Sequence, residues 1–212
     1  MFKLLMTYLI AVMTAGGIAN TEVVANEKYQ AGKHYEVLAN PVATSTDGTI
    51  EVREFFWYGC PHCYQMEPFV EKWLAAKPDY VELVRSPAAF NDVWEDHARA
   101  YYVMKYSGKE ETMHHLFFDA VNADQRGMRK RDKILAFFAE HGVDEKTYDK
   151  LASSMKVNAE IATTNKIMAS AQITGVPAFM VHGKYLVKSG KTRDEMMDII
   201  SFLASKEHAA SQ

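Results

Sequence analysis

Two cysteines, Cys60 and Cys63, constrain this chain more than any other feature, because they are the only cysteines in its 212 residues. They follow an apolar, aromatic segment, residues 50–57, that predicts a buried strand. A helical pattern containing Met66 and Val70 begins directly after them. The first sulfur is therefore expected at the start of a helix, where two cysteines at C-x-x-C spacing can close and open a small disulfide.

The residues of this motif predict different chemistry for its two sulfurs. Unpaired N–H groups at a helix start favour the thiolate of Cys60. Pro61 suits the first helical turn, and His62 adds a cation or a hydrogen-bond donor. Cys63 lies further into the helix and is expected to be more buried. Cys60 is therefore the predicted attacking and attacked sulfur, and Cys63 the predicted resolving one.

Glu54 is a carboxylate inside the predicted buried strand. Burial of a carboxylate is costly unless it is paired or protonated. One interpretation is a salt bridge to Lys72, Arg85 or another cation. The other is a proton relay beneath Cys63 that helps this cysteine become an attacking thiolate. The two interpretations are compatible.

A proline, Pro177, stands at the start of another predicted buried strand. It interrupts the hydrogen-bond ladder there, which can mean a rigid turn. Alternatively, the Val176–Pro177 bond is cis and faces the two sulfurs. The backbone groups of Val176 would then be free to pair with an extended substrate.

The amino terminus predicts export from the cytoplasm. Lys3 precedes an apolar segment, residues 4–15, that is short for a membrane span. Cleavage is possible after Ala19 or Ala25, and Ala25 is favoured, which predicts a signal peptide at residues 1–25. Disulfides persist in exported proteins. A net charge of −3 offers no strong field for nucleic acid.

The order of the predicted elements indicates an α/β fold. Strands and a helix come first, then a block of helices alone, then helix, strand, strand and helix. One mixed sheet with helices on both faces explains this order, with the helical block as an insertion. The predicted domains are a first part at 26–89, an inserted helical domain at 90–156 and a second part at 157–212.

Three local expectations can be compared with the structure. The helix after the cysteines is expected to reach Ala76, with a kink at Pro68. A two-residue hairpin connection is expected at His182-Gly183. The tail from Glu207 is expected to be frayed.

Together these motifs resemble the DsbA family of periplasmic thiol:disulfide oxidoreductases, from about Lys33 to Leu203. Glu-Phe-Phe precedes the cysteines, Cys-Pro-His-Cys-Tyr contains them, and Gly-Val-Pro-Ala precedes the late hairpin. A lone C-x-x-C is a weak signal, whereas this combination in an exported chain is specific.

The resemblance implies a thioredoxin fold with an inserted all-helical domain. It implies that Cys60 is the nucleophile, Glu54 the buried acid and Val176–Pro177 the cis-proline loop. Arg85 stands where the family usually has lysine, and arginine does not readily give up a proton. The implied setting is the periplasm, with unfolded exported proteins as substrates and a DsbB-type, quinone-linked membrane oxidase as partner. A monomer without a cofactor of its own is expected.

The predicted function is an oxidase that donates the Cys60–Cys63 disulfide to newly exported proteins through a mixed disulfide. A reductase or isomerase is the alternative, although isomerases of this kind usually have a further dimerisation domain. A metal-binding module would use Cys60, His62 and Cys63, but structural zinc normally takes four ligands. A structural disulfide in a non-enzymatic binding protein is a further alternative.

Overall fold

The computed structural model describes residues 27–188 and 190–212, so the predicted signal peptide lies outside the described residues. This part of the chain contains one five-stranded sheet of order β1-β5-β4-β2-β3. The strands are β1 (Glu36–Val37), β2 (Ile50–Phe56), β3 (Val81–Pro87), β4 (Ala178–Val181) and β5 (Tyr185–Lys188). The helices are α1 (Pro61–Tyr64), α2 (Glu67–Ala76), α3 (Asp92–Tyr106), α4 (Glu110–Ala123), α5 (Arg131–Glu140), α6 (Glu145–Ala152), α7 (Met155–Ser170) and α8 (Arg193–Ala210), with a 3₁₀ turn at Gly127–Arg129. None of the helices described is long and apolar enough to cross a membrane.

Strand β2 lies inside the sheet and delivers the chain to the cysteines. All seven of its residues are buried. It pairs in parallel with β3 and antiparallel with β4. Successive side chains of a strand point to opposite faces, so Val52, Glu54 and Phe56 share one face. The strand therefore fixes Glu54 on the face that also carries Val52.

Helices cover both faces of the sheet, as predicted. Apolar residues of α2 and α8 pack on one face, and those of α7 pack on the other. Helices α3 to α6 form an aromatic core of their own, which extends to Phe56, Tyr58 and Cys63. This arrangement confirms the α/β fold with a helical insertion. The predicted boundaries after residues 89 and 156 stay predictions.

The expectation of one kinked helix after the cysteines is wrong. The chain forms two helices, and α1 ends at Tyr64 before α2 begins at Glu67. Pro68 is the second residue of α2. A proline at this position has no N–H for the carbonyl of residue 64, so the helix stops before it instead of bending at it.

The hairpin between β4 and β5 turns at His182 and Gly183, whose φ angles are 50° and 66°. Lys184 N donates to the Val181 carbonyl at 3.0 Å, which closes the turn. Val181 faces Tyr185 across the ladder, so the connection has three residues and not the expected two.

The expectation of a frayed tail from Glu207 is also wrong. Helix α8 continues to Ala210, and Glu207 is buried. Its carboxylate accepts hydrogen bonds from Lys184 Nζ and Tyr185 Oη. These contacts join the last turns of α8 to the hairpin.

Gly183→Ala is expected to destabilise the protein by more than about 2 kcal/mol, because a side chain there meets backbone as well as an unfavourable φ. A Cβ at this position would lie 1.8 Å from the Val42 carbonyl oxygen. Gly108→Ala is the matched control, since its φ is also positive at 71° but its Cβ would have open space. Urea unfolding of both variants checks this, and equal losses would contradict the steric argument.

Candidate active site

The two cysteines occupy different positions at the start of α1. Cys60 is the N-cap residue, with extended backbone angles, and Pro61 is the first helical residue. Cys60 is 8% exposed and Cys63 is fully buried, which confirms the predicted difference in burial. Both are free thiols in this structure.

Several groups converge on the sulfur of Cys60 and lower its pKa to about 6. The largest contribution is a hydrogen bond from the Cys63 thiol. The backbone N–H groups of Cys63 and His62, and the charge of His62, act in the same direction, while burial opposes them. The arrangement therefore favours a thiolate on Cys60 near neutral pH.

The sulfur of Cys63 has the opposite environment. Burial raises its pKa well above the usual range, and the neighbouring Cys60 raises it further. The charge of Glu54 acts in the same direction, although less strongly. Of the two sulfurs, Cys63 is thus the one that keeps its proton, which allows it to donate to the other.

The Val176–Pro177 peptide bond is cis, and it lies beside the cysteines as the second interpretation of this proline predicts. The Cys60 thiol donates to the Val176 carbonyl at 3.6 Å. Strand β4 begins only at Ala178, so Val176 lies outside the ladder of the sheet. Its backbone is therefore placed beside the sulfur of Cys60.

Glu54 is fully buried and faces Arg85 across the β2–β3 pair. Arg85 Nε lies 3.5 Å from Glu54 Oε2, so Arg85, and not Lys72, is the cation beside Glu54, and the two form a salt bridge when Glu54 is ionised. Burial and the charge of Glu67 raise the pKa of Glu54 to about 8, although Arg85 opposes the shift. Neither oxygen of Glu54 has a well-formed hydrogen bond. The carboxyl group is therefore mostly protonated at neutral pH.

Arg85 also contacts two acids that the sequence analysis did not identify. Glu67 and Glu110 lie 3.8 Å and 3.6 Å from its guanidinium nitrogens. Burial raises the pKa of Glu67 to about 7, and Arg85 opposes the shift. Glu67 follows Cys63 by only four residues, so a second carboxylate close to the cysteines was a usable signal in the sequence.

A buried histidine of the insertion extends this charged cluster. His114 Nδ1 lies 2.7 Å from the Tyr58 hydroxyl, and His114 Nε2 lies 3.4 Å from Glu67 Oε2. Burial and the charge of Arg85 lower the pKa of His114 well below the usual range, so its ring is neutral. The helical insertion is thus in direct contact with the acids beneath the cysteines.

The structure gives no support to the metal-binding alternative. Among the residues described, no group of three or more histidine, cysteine, aspartate or glutamate side chains suits a metal ion. His62 is exposed, whereas Cys63 is fully buried. Metal analysis of the purified protein tests this alternative directly.

A cysteine pair with unequal pKa values, at the start of a helix and beside a cis-proline, defines the class of thiol:disulfide oxidoreductases with a thioredoxin fold. Comparison with known proteins supports the same class. The profile of the DSBA-like thioredoxin domain matches residues 51–199. The chain belongs to the DsbA family.

Individual relatives cover most or all of the chain. The thiol:disulfide interchange protein DsbA of Pseudomonas aeruginosa is 32% identical over the full length of both chains. The protein of the same name from Burkholderia cepacia is 34% identical and covers 87% of this chain and 86% of its own.

Solved structures agree with this assignment. The crystal structure of P. aeruginosa DsbA has a TM-score of 0.80 at 34% identity, and covers 86% of this chain and 96% of its own. The oxidoreductase DsbA of Xylella fastidiosa has a TM-score of 0.79 at 25% identity, with 85% and 98% covered.

Proposed function

We propose that this protein oxidises dithiols in newly exported proteins, with Cys60 as the reacting residue. In the disulfide form, a substrate thiolate attacks the Cys60 sulfur, and Cys63 leaves with the bonding electron pair. The second substrate thiolate then attacks the substrate sulfur of the mixed disulfide, and Cys60 leaves as a thiolate. The substrate loses two electrons and gains a disulfide, while the enzyme is left as a dithiol.

The observation that carries this proposal is the set of donors around the Cys60 sulfur, because they stabilise the form released at the end. At pH 7 a thiol with a pKa of about 6 is mostly thiolate. Relative to an ordinary thiol, this adds about 30 mV to the reduction potential at pH 7. The gain grows as pH rises toward the pKa of a free thiol, and a higher potential favours donation of the disulfide.

Glu54 is the proposed proton partner of Cys63. When Cys63 leaves as a thiolate in a buried place, it needs a proton, and a protonated Glu54 on the same side can supply one. In the reverse direction, an ionised Glu54 accepts the proton of Cys63 and generates an attacking thiolate. Arg85 acts as a fixed charge that limits the cost of ionised Glu54 and is not itself a proton carrier.

The proposed setting is the periplasm, after removal of residues 1–25. Extended segments of unfolded exported proteins would pair with the backbone of Val176 beside Cys60, and Pro177 would hold that loop in place. A DsbB-type, quinone-linked membrane oxidase would restore the disulfide. The relatives' shared name, thiol:disulfide interchange protein, supports the reaction proposed for the cysteine pair.

Titration of the Cys60 thiolate by its ultraviolet absorbance tests the proposal. The expected pKa is about 6, and a value near that of a free thiol, about 8.5, would contradict the proposal. Cys63→Ala is the matched variant, since it removes the largest stabilising hydrogen bond and is expected to raise the pKa of Cys60.

The reduction potential of the Cys60–Cys63 pair distinguishes an oxidase from a reductase. We expect it to lie well above that of thioredoxin, which is about −270 mV. Equilibration with a glutathione redox buffer measures it. A potential at or below the thioredoxin value would favour the reductase alternative.

A further inference from the structure

A groove of about 550 Å³ opens beside the cysteines, between α1, α2 and the start of α8. His62 and Pro177 line the end next to the active site. Met66, Phe69 and Met196 form its apolar part. The groove is therefore continuous with the place where a substrate cysteine must react.

Two cations, Lys191 and Arg193, line the same groove, and we call them the basic rim. Lys191 Nζ donates to the Lys33 carbonyl at 3.2 Å, and Arg193 donates to the Gln65 side-chain oxygen. Within the described ranges, neither cation has a carboxylate within salt-bridge distance. Both cations therefore keep their charge available to a ligand.

The charge of the groove differs in sign from that of the chain. Among the described residues that line the groove, Asp194 is the one acid, and it lies in the first turn of α8, where helix N–H groups favour a carboxylate. With histidine counted as neutral in both cases, two cations and one acid give the described lining of the groove one net positive charge, whereas the whole chain has a net charge of −3. A local positive charge on an acidic protein points to an anionic ligand.

We propose that this groove selects extended substrate segments that carry an aspartate or glutamate within about three residues of the reacting cysteine. The inference rests on the proposed oxidase function and adds a substrate preference to it. An extended chain advances roughly 3.3 Å per residue, so a residue three positions from the reacting cysteine lies about 10 Å further along the groove. The apolar part takes the neighbouring side chains, and the basic rim takes the carboxylate.

The basic rim also offsets the lower thiol reactivity of acidic substrates. A neighbouring carboxylate raises the pKa of a substrate thiol and lowers its thiolate fraction. Cations in the groove oppose this effect in the encounter complex and raise the rate of productive association. Acidic segments therefore gain reactivity with this protein that they do not gain with a small disulfide.

Three dithiol peptides test the preference. They differ only in the residue two positions after the first cysteine, which is glutamate, glutamine or lysine. The oxidised full-length mature protein is mixed with each peptide, and each rate is divided by that peptide's rate with a small neutral disulfide. The normalised rate is expected to fall about 2- to 5-fold from the glutamate to the glutamine peptide, and by a similar factor from the glutamine to the lysine peptide. High salt is expected to narrow the differences.

Charge reversal identifies the rim as the cause. The double variant K191E/R193E is expected to prefer the lysine peptide. K166E is the control, because Lys166 is exposed on α7, outside the groove, and this variant is expected to keep the wild-type order. If circular dichroism shows that the double variant does not fold, K191Q replaces it and is expected to reduce the glutamate-to-lysine ratio by about half.

The outcomes separate the two proposals. Equal normalised rates for the three peptides would overturn the substrate preference and leave the oxidase function intact. A wild-type order that persists in the folded K191E/R193E variant would show that the rim is not its cause. If no peptide is oxidised at all, the proposed function itself is wrong.

Discussion

Cys63→Ala is expected to leave Cys60 covalently joined to substrate proteins in cells. Cys63 is fully buried, and Cys60, the proposed reacting residue, is 8% exposed. Without Cys63 the protein cannot form the disulfide that it donates, so turnover as a dithiol oxidase should fall by at least about 1000-fold. A mixed disulfide that forms at Cys60 by exchange then has no neighbouring thiol to release it. Non-reducing gels of cell extracts measure the trapped species as high-mass bands that disappear on reduction.

Cys60→Ala is the matched control, because it removes the sulfur that we propose substrates attack. It is expected to be equally inactive but to give no trapped species, since the remaining thiol is inaccessible and keeps its proton. Equal trapping by the two variants would contradict the different roles of the sulfurs. A clean monomer from Cys63→Ala would contradict catalysis through a mixed disulfide.

The active-site motif was predictable because its chemistry is local. A strand, two cysteines and a helix start are adjacent in sequence, so spacing alone placed Cys60 at the N-cap and Cys63 inside the helix. The cis bond before Pro177 was weighed correctly against a plain turn. The sheet followed from the order of the elements, because a β-α-β unit and a hairpin with a helix can each bury little surface alone.

The charged cluster was not predictable to the same extent, because it assembles from four separate elements. Glu54, Glu67, Arg85 and His114 come from β2, α2, β3 and α4. The pattern of a single sequence identifies Glu54 as a carboxylate in an apolar strand. It does not identify the other acids that surround Arg85. Of the contacts within this cluster, only the pairing of Glu54 with Arg85 was among those predicted from the sequence.

Two other polar residues of β2 were overlooked for a different reason. Glu51 and Arg53 also interrupt the apolar strand, yet only Glu54 was singled out. They lie two positions apart and therefore share a face, and their side chains form a buried salt bridge of 2.9 Å. Opposite charges two positions apart in an apolar strand are a sequence signal of a buried ion pair.

Glu54→Gln is expected to stabilise the oxidised protein at pH 8 and to remove part of its pH dependence. The folded pKa of Glu54, about 8, lies above its value in an unfolded chain, about 4.3. The folded state therefore binds more protons between these values, so the wild type loses stability as pH rises through this window, on the order of 2–4 kcal/mol. Urea unfolding of the disulfide form from pH 5 to 8 measures this without titration of the cysteines.

Glu54→Gln is expected to slow catalysis even though it stabilises the folded protein. Glutamine cannot exchange a proton with Cys63, so the variant should form and resolve mixed disulfides more slowly, roughly 10- to 100-fold. Rates from pH 5 to 9 measure this, and the wild-type inflection near pH 8 should disappear. A variant with unchanged rates and an unchanged inflection would show that Glu54 has only a structural role.

Glu51→Gln is the matched control for stability, because Glu51 lies on the same strand and is equally buried. Its carboxylate accepts hydrogen bonds from Arg53 Nε, Ser45 N and Ser45 Oγ at 2.9, 2.6 and 2.7 Å. Replacement weakens these charge-assisted bonds, so a loss of about 1–3 kcal/mol is expected at every pH from 5 to 8. If both variants lose the same free energy of unfolding at pH 8, burial of a carboxylate on this strand is enough to explain both losses. If only Glu51→Gln loses stability, the unsatisfied hydrogen bonds of Glu54 are a stability cost that this protein retains beneath Cys60 and Cys63.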